Sequence, residues 1–194
     1  AALLQELPLV HRKHLEPSSP AGMRVMAAKG LTPIPPREMV LVLCGFYYEA
    51  DSRLSTFARE ALLKLPDRIL SPTLGTDLPP AALYVLALVL TGREELLEKV
   101  FLNRKTPDSV LVELAPACSA HLLELLAGNQ ERCLRSKELI SGIRQNPKLG
   151  NAQRDRLFDF LARCGQCYPD MPEFRDAYQR IGQPYPGTDE SSED

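Results

Sequence analysis

The chain has 194 residues, 44% of them hydrophobic and 25% charged, and its formal net charge at pH 7 is −2. These values are typical of a soluble globular protein with one good-sized core. The most apolar run, Val85 to Leu90, is far shorter than the roughly 20 apolar residues that span a bilayer. Glu6 and Pro8 interrupt the apolar start of the chain, so no signal peptide is evident, and we predict a cytoplasmic protein with no membrane partner.

Residues 1–36 are predicted to form a Pro-rich, loosely structured N-terminal arm, because proline breaks long helices. The six prolines of this arm are Pro8, Pro17, Pro20, Pro33, Pro35 and Pro36. Within the arm, His11 and His14 flank Arg12 and Lys13 in a small basic patch. A solvated tail is the favoured interpretation of this patch. Contact with an anionic surface is one alternative, and a metal held by the two histidines is another, although a metal site needs further ligands.

The predicted folded body is a helical-repeat domain over residues 37–166. Its clearest amphipathic helix presents six apolar side chains on one face at spacings of three and four. These are Leu54, Phe57, Ala58, Ala61, Leu62 and Leu65. Alternating β-branched runs, Asn-Gly hairpins and glycine-rich loops are missing from the sequence, which predicts an all-α fold.

One short segment predicts how two helices are joined. Asn103 is expected to end one helix in a left-handed conformation, Thr106 to cap the next, and Pro107 to occupy its first position, where the missing N–H has no effect. Asn129 and Asn146 are expected to end two later helices. Because such joints recur at irregular intervals, the sequence favours an irregular α-solenoid of stacked antiparallel helix pairs.

Other polar residues predict where further helices begin. Three predicted N-caps are Asp51, Ser119 and Ser136. Thr91 and Glu94 have the spacing of a capping box. The last strong helix is predicted over about Asn151 to Cys164. A short one around Glu173 to Ile181, in the 167–182 region, is expected to cover the end of the repeats. An acidic tail, residues 183–194, is predicted to be disordered.

These joints resemble those of the leucine-rich repeat variant and of related HEAT-like helical repeats, which read Asn-Pro-x-Thr-Pro before a leucine-bearing helix. Asn103 to Pro107 matches this pattern except at Arg104, which stands where the family has its first proline. Asn146 to Leu149 is similar, and Leu78 to Pro80 is a looser copy. The resemblance implies an α-solenoid that serves as a binding surface.

Cysteine chemistry is not strongly indicated. The five cysteines, an odd number, are Cys44, Cys118, Cys133, Cys164 and Cys167, and they fit reduced thiols better than a disulfide framework. Cys164 and Cys167 form a CxxC motif that follows a predicted helix instead of opening one, so the helix dipole does not lower a thiol pKa there. We therefore predict no cofactor and no metal, and a metal or redox module built on Cys164 and Cys167 is the alternative. The sequence also lacks a Ser/His/Asp set, a phosphate loop and an HExxH motif, which argues against an enzyme.

The charge pattern leaves one candidate binding surface. Residues 129–163 hold eight lysines or arginines against four acids. A candidate surface for an anionic partner comprises Arg132, Arg135, Arg144, Arg154 and Arg156. A solvated outer face is the alternative, and the interleaved acids favour it.

The function expected from the sequence is a non-enzymatic protein–protein interaction module, an adaptor or scaffold that presents a helical-repeat surface. The alternative is a HEAT-like nucleic-acid-binding protein that uses the basic helices of 129–163. The near-neutral net charge makes nucleic acid the less expected partner. Self-association as a homo-oligomer through the same surface stays open.

Overall fold

The computed structural model describes residues 2–187, and every regular element in this part of the chain is an α-helix. The predicted all-α class is therefore confirmed for the described residues. None of their helices is long and apolar enough to cross a membrane. The predicted acidic tail lies outside the described residues from 188 onward.

The helices of residues 2–187 are numbered in chain order. They are α1 Ala2–Glu6, α2 Leu9–Arg12, α3 Ala21–Ala28, α4 Pro36–Tyr47, α5 Ser52–Lys64, α6 Asp67–Leu74, α7 Pro80–Val89, α8 Glu94–Leu102, α9 Asp108–Leu114, α10 Ala120–Gly128, α11 Gln130–Arg135, α12 Lys137–Gln145, α13 Asn151–Arg163 and α14 Glu173–Arg180.

The chain folds as two compact units. The first ends at Val110 and the second begins at Leu111, so the boundary falls within α9. This boundary lies inside the range 37–166 that the sequence pattern indicates as one helical-repeat domain. Each unit has its own buried apolar side chains, as a compact unit requires.

The N-terminal residues belong to the core of the first unit. Helix α1 packs on α4 and α7, and Leu3 and Leu7 are buried. The expectation of a loosely structured N-terminal arm is therefore wrong. Pro8 and Pro20 directly precede α2 and α3. At that place proline's missing N–H removes no helical hydrogen bond, so the prolines start short helices instead of preventing them.

Helix α4 is the centre of the first unit and packs on α1, α3, α5, α6 and α7. Its buried residues include Leu41, Leu43, Cys44 and Phe46. Residues 40–44 are all buried, so the middle of α4 is apolar on every side and can be surrounded by other helices. The neighbouring α5 is amphipathic as predicted, and the Asp51 side chain caps it by accepting a hydrogen bond from the Arg53 N–H over 2.9 Å.

One helix start differs from the prediction. Helix α8 begins at Glu94 with Arg93 in the N-cap position and no side-chain cap, so the predicted capping box at Thr91 is wrong. The Arg93 Nη1 instead donates to the carbonyl of Leu65 over 2.7 Å, and the same guanidinium pairs with Asp67. Arg93 thus contacts residues far earlier in the chain at the start of α8, and a local capping motif does not predict such a contact.

The joints at Asn103 and Asn146 have the same backbone geometry. Both asparagines follow the last residue of a helix, with φ/ψ of −71°/123° and −72°/120°. In each, the side-chain Oδ1 accepts a hydrogen bond from the N–H two residues later, over 2.9 Å from Lys105 and 3.0 Å from Lys148. The predicted helix ends are confirmed. The predicted left-handed conformation of Asn103 is wrong, because the side-chain bond stabilises an extended residue instead.

The Thr106 hydroxyl contacts the end of the preceding helix, where it donates to the carbonyl of Val100 over 2.5 Å. This carbonyl belongs to the last turn of α8, where helical partners are missing. Helix α9 then begins at Asp108, directly after Pro107. Thr106 thus ties together the two sides of the joint.

In the second unit, the predicted N-caps of α10 and α12 are confirmed. Ser119 accepts a hydrogen bond from the Leu122 N–H, and Ser136 accepts one from the Leu139 N–H. Helices α13 and α14 lie where the sequence predicts them. They pack on each other, with the rings of Phe158 and Phe174 edge to face at 5.0 Å between centroids. The C-terminal helix therefore covers apolar surface of α13.

Candidate interaction cleft

The structure separates the five arginines of the predicted anionic-partner surface. Arg132 is only 3% exposed, so the expectation that it lies on a binding surface is wrong. Arg135 is exposed and pairs with Glu131 one helical turn earlier, at 3.2 Å. The Arg144 Nε lies 2.6 Å from the Glu173 Oε1. Acidic neighbours therefore neutralise two of the arginines that the sequence offers to an anionic partner.

Other basic residues of the second unit are also paired. Arg180 contacts both Asp155 and Asp159, and its hydrogen bond to Asp159 raises the pKa of the guanidinium. Lys137 pairs with Asp170 at 2.9 Å, and the hydrogen bond from Lys137 lowers the pKa of this carboxyl group. Each shift stabilises the charged form. Within 129–163, Arg135, Lys137 and Arg144 are thus paired with acids.

The remaining two arginines lie on α13. Arg154 is half-buried, and its Nε is buried without a hydrogen-bond partner. Arg156 is exposed and lines a cavity. Of the five predicted site residues, Arg156 is the one that borders this cavity.

The cavity is a cleft of about 270 Å³ between α10 and α13. Both apolar and polar side chains surround it. The lining residues are Glu124, Ala127, Gly128, Gln130, Gln153, Arg156, Leu157 and Phe160. Leu157 is buried and Phe160 is half-buried, so the cleft has an apolar base with polar groups around it. We call it the α10–α13 cleft.

Local structure explains why these side chains meet. Ser119 fixes the start of α10, and Gly128 is its last residue. At the start of α13, the Gln153 Oε1 accepts a hydrogen bond from the Gly150 N–H over 3.3 Å, which leaves the amide NH2 of Gln153 available as a donor. Gly128 has no side chain, and a Cβ there would meet no heavy atom within 4 Å. The cleft is therefore open beside Gly128.

Two charged side chains of the cleft have no ion-pair partner within residues 2–187. Glu124 on α10 and Arg156 on α13 are both exposed and both line the cleft. Neither forms an ion pair or a side-chain hydrogen bond within residues 2–187. Apart from this cleft, charged groups of the second unit repeatedly pair with one another. An acidic and a basic side chain without ion-pair partners, placed beside apolar surface, can bind a ligand that carries charges of both signs.

Sequence reasoning found Arg156 but missed the other polar members of the cleft. Glu124, Gln130 and Gln153 carry no motif, and they come from three different helices or their ends. Phe160 lies on α13 and is half-buried. These residues come together only because α10 packs on α13, and no sequence motif predicts that packing.

The CxxC motif lies in the turn after α13. Cys164 is exposed and Cys167 is half-buried. Gly165 has φ of +80°, and the Gln166 N–H donates to the Leu161 carbonyl over 2.9 Å, which is the pattern of a Schellman C-cap. Residues 2–187 contain no group of three or more His, Cys, Asp or Glu side chains placed to hold a metal ion. The motif therefore forms the C-terminal turn of α13, and Cys164 is its exposed thiol.

The two N-terminal histidines differ from the expected solvated patch. Their rings stack at 6.2 Å between centroids, and His14 is only 4% exposed, so the expectation of a solvated tail is wrong for His14. Burial, with smaller contributions from Lys13 and His11, lowers the pKa of His14. In both histidines the Nδ1 atom is buried without a hydrogen-bond partner. Burial therefore disfavours the protonated form of His14.

The fold and the cleft define an all-helical protein of two compact units with a mixed-charge surface cleft. No family model, no curated protein and no solved structure gives a significant match to the chain.

Proposed function

We propose that this chain is a non-enzymatic protein-interaction module, an adaptor or scaffold, built from helix pairs of the HEAT-like α-solenoid type. Support for the repeat character comes from the matching joints at Asn103 and Asn146, which share backbone angles and side-chain hydrogen bonds. Repeated helix pairs present extended surfaces to other macromolecules.

One observation carries the choice of a protein partner over a nucleic acid. The α10–α13 cleft offers one positive and one negative side chain, Arg156 and Glu124, beside apolar surface. A polyanion would be repelled by Glu124, and Arg135, Arg144 and Arg180 of the same unit are already paired with acids. Protein surfaces carry interspersed charges of both signs with apolar side chains, and they match such a cleft.

The test is affinity capture with the full chain from an extract of cells that produce it, with and without nuclease and at raised salt. A specific protein partner that survives both treatments is the expected result. Recovery that disappears with nuclease or with salt would overturn the proposal in favour of nucleic-acid binding, because phosphate contacts weaken steeply with salt. Size-exclusion chromatography of the purified chain distinguishes self-association from binding of a different protein.

A further inference from the structure

The size of the α10–α13 cleft limits what it can hold. At about 270 Å³ it lies slightly below the roughly 300–1,000 Å³ of sites that enclose cofactors or drug-sized ligands. It is open along Gly128, where no side chain obstructs it. A short piece of extended or helical chain that inserts one side chain therefore fits better than a whole cofactor.

The lining specifies the chemistry of that piece of chain. Leu157 and Phe160 form an apolar base that can take an apolar or aromatic side chain. The side-chain amides of Gln130 and Gln153 lie at the same cleft and can bond a peptide backbone. Arg156 can bind a carboxylate through its planar guanidinium, and Glu124 can bind an ammonium or guanidinium group.

We propose that the α10–α13 cleft binds a peptide segment of a partner protein in which an apolar or aromatic residue is flanked by one acidic and one basic residue. This assignment rests on the proposed function and names the partner's chemistry at one site. Charge complementarity selects the occupant, because Arg156 and Glu124 have opposite signs and neither has another partner within residues 2–187.

The test is a peptide array probed with the full purified chain. Each nine-residue peptide carries a central Leu, Phe or Tyr, and each flank is acidic, basic or uncharged. Wild-type protein should retain the peptides with one acidic and one basic flank. The direction of the peptide does not affect this readout, because only the combination of charges is scored.

Two charge variants test the assignment residue by residue. Arg156→Glu gives the cleft two acids, so retention of the mixed class should fall about tenfold and peptides with two basic flanks should be preferred. Glu124→Lys should instead favour two acidic flanks. A change of about tenfold in retention is expected because each substitution replaces one charge attraction with one repulsion at an exposed site. Both positions are exposed and unpaired, so both variants should keep the wild-type melting temperature.

A steric variant tests the cleft without changing its charge. Gly128→Trp places a large side chain at the open edge, where a Cβ meets no heavy atom within 4 Å, and it should lower retention of all classes about tenfold. Matched controls are Gly92→Trp, at another glycine with open space around it, and Arg163→Glu, at an exposed arginine two turns further along α13. Both controls should stay within about twofold of wild type.

The assignment would be overturned if Arg156→Glu and Glu124→Lys retained the same peptide classes as the wild type. It would also be overturned if Gly128→Trp left peptide retention unchanged. Retention of no class would overturn it too, as would a preference for two acidic flanks that a dT20 oligonucleotide competes away. Failure of the proposed function is a separate result. A wild-type chain that captures no protein overturns the module itself, whereas a captured protein that Gly128→Trp still binds overturns only the cleft.

Discussion

The side-chain amide of Asn146 donates a hydrogen bond to the backbone carbonyl of Ala115 over 2.8 Å. The same nitrogen lies 3.1 Å from the carbonyl of Cys118, and its Oδ1 accepts from the Lys148 N–H. Asn146 is 1% exposed. One buried side chain therefore ends α12 and also satisfies two carbonyls in the turn after α9, which joins parts of the second unit that are distant in sequence.

Replacement of Asn146 should be among the most destabilising polar substitutions in the second unit. Asn146→Ala leaves buried carbonyls at Ala115 and Cys118 without this donor, so we expect a loss of about 2–4 kcal/mol of unfolding free energy. Urea unfolding followed by circular dichroism measures the loss. Gln145→Ala, at the exposed neighbouring residue, should change stability by less than about 0.5 kcal/mol. Equal effects of the two substitutions would contradict this role.

Two helical glycines should respond differently to alanine. At Gly128 a Cβ meets nothing within 4 Å, so Gly128→Ala should stabilise the chain by up to about 1 kcal/mol through helix propensity. At buried Gly142 a Cβ would lie 3.1 Å from the Ala115 Cβ and 3.3 Å from the Val112 carbonyl oxygen. Gly142→Ala should therefore be less stable than Gly128→Ala by about 1 kcal/mol or more. Melting temperatures of the two variants provide the comparison, and equal shifts would refute it.

His14 should make stability depend on pH. Its pKa in the folded protein is lowered, chiefly by burial, so below about pH 6.5 the unfolded chain binds a proton that the folded chain does not. This contribution to stability is present above the unfolded pKa and is lost as the pH falls through the lowered folded value. His14→Gln should reduce the loss of stability between about pH 7.5 and pH 5.

A second variant checks the cause of the His14 shift. Lys13 is the second-largest contribution to the lowered pKa, so Lys13→Gln should weaken the pH dependence without abolishing it. Urea midpoints at several pH values give the slopes. An unchanged slope in His14→Gln would show that other groups control the acid destabilisation.

The five cysteines should differ sharply in reactivity. Cys164 is exposed, whereas Cys44, Cys118 and Cys133 are buried, and burial raises the pKa of the Cys44 thiol. Since the thiolate is the reactive form, iodoacetamide should modify Cys164 first in the native protein. The three buried thiols should react slower by about a hundredfold or more, because they must await local opening. Peptide mass spectrometry after timed quenching measures the rates, and fast labelling of Cys44 would contradict the packing of α4.

The sequence by itself determined the helical class and many of the helix boundaries. Asp51, Ser119 and Ser136 begin helices as predicted, and Asn103 and Asn146 end them. These boundaries are predictable because a cap is a hydrogen bond between residues two or three positions apart. Where a distant residue supplied the contact, as Leu65 and Asp67 do for Arg93, the local pattern failed.

Only the tertiary structure decided which charged residues are available to a partner. The sequence presents Arg132, Arg144 and Arg156 as equivalent cations. Packing buries the first, pairs the second with Glu173 twenty-nine positions away, and leaves the third exposed in the α10–α13 cleft. Burial and ion pairing depend on which helices meet, and helices that meet are far apart in the chain. The cleft is therefore a property of the packing of α10 on α13, which no local spacing of residues encodes.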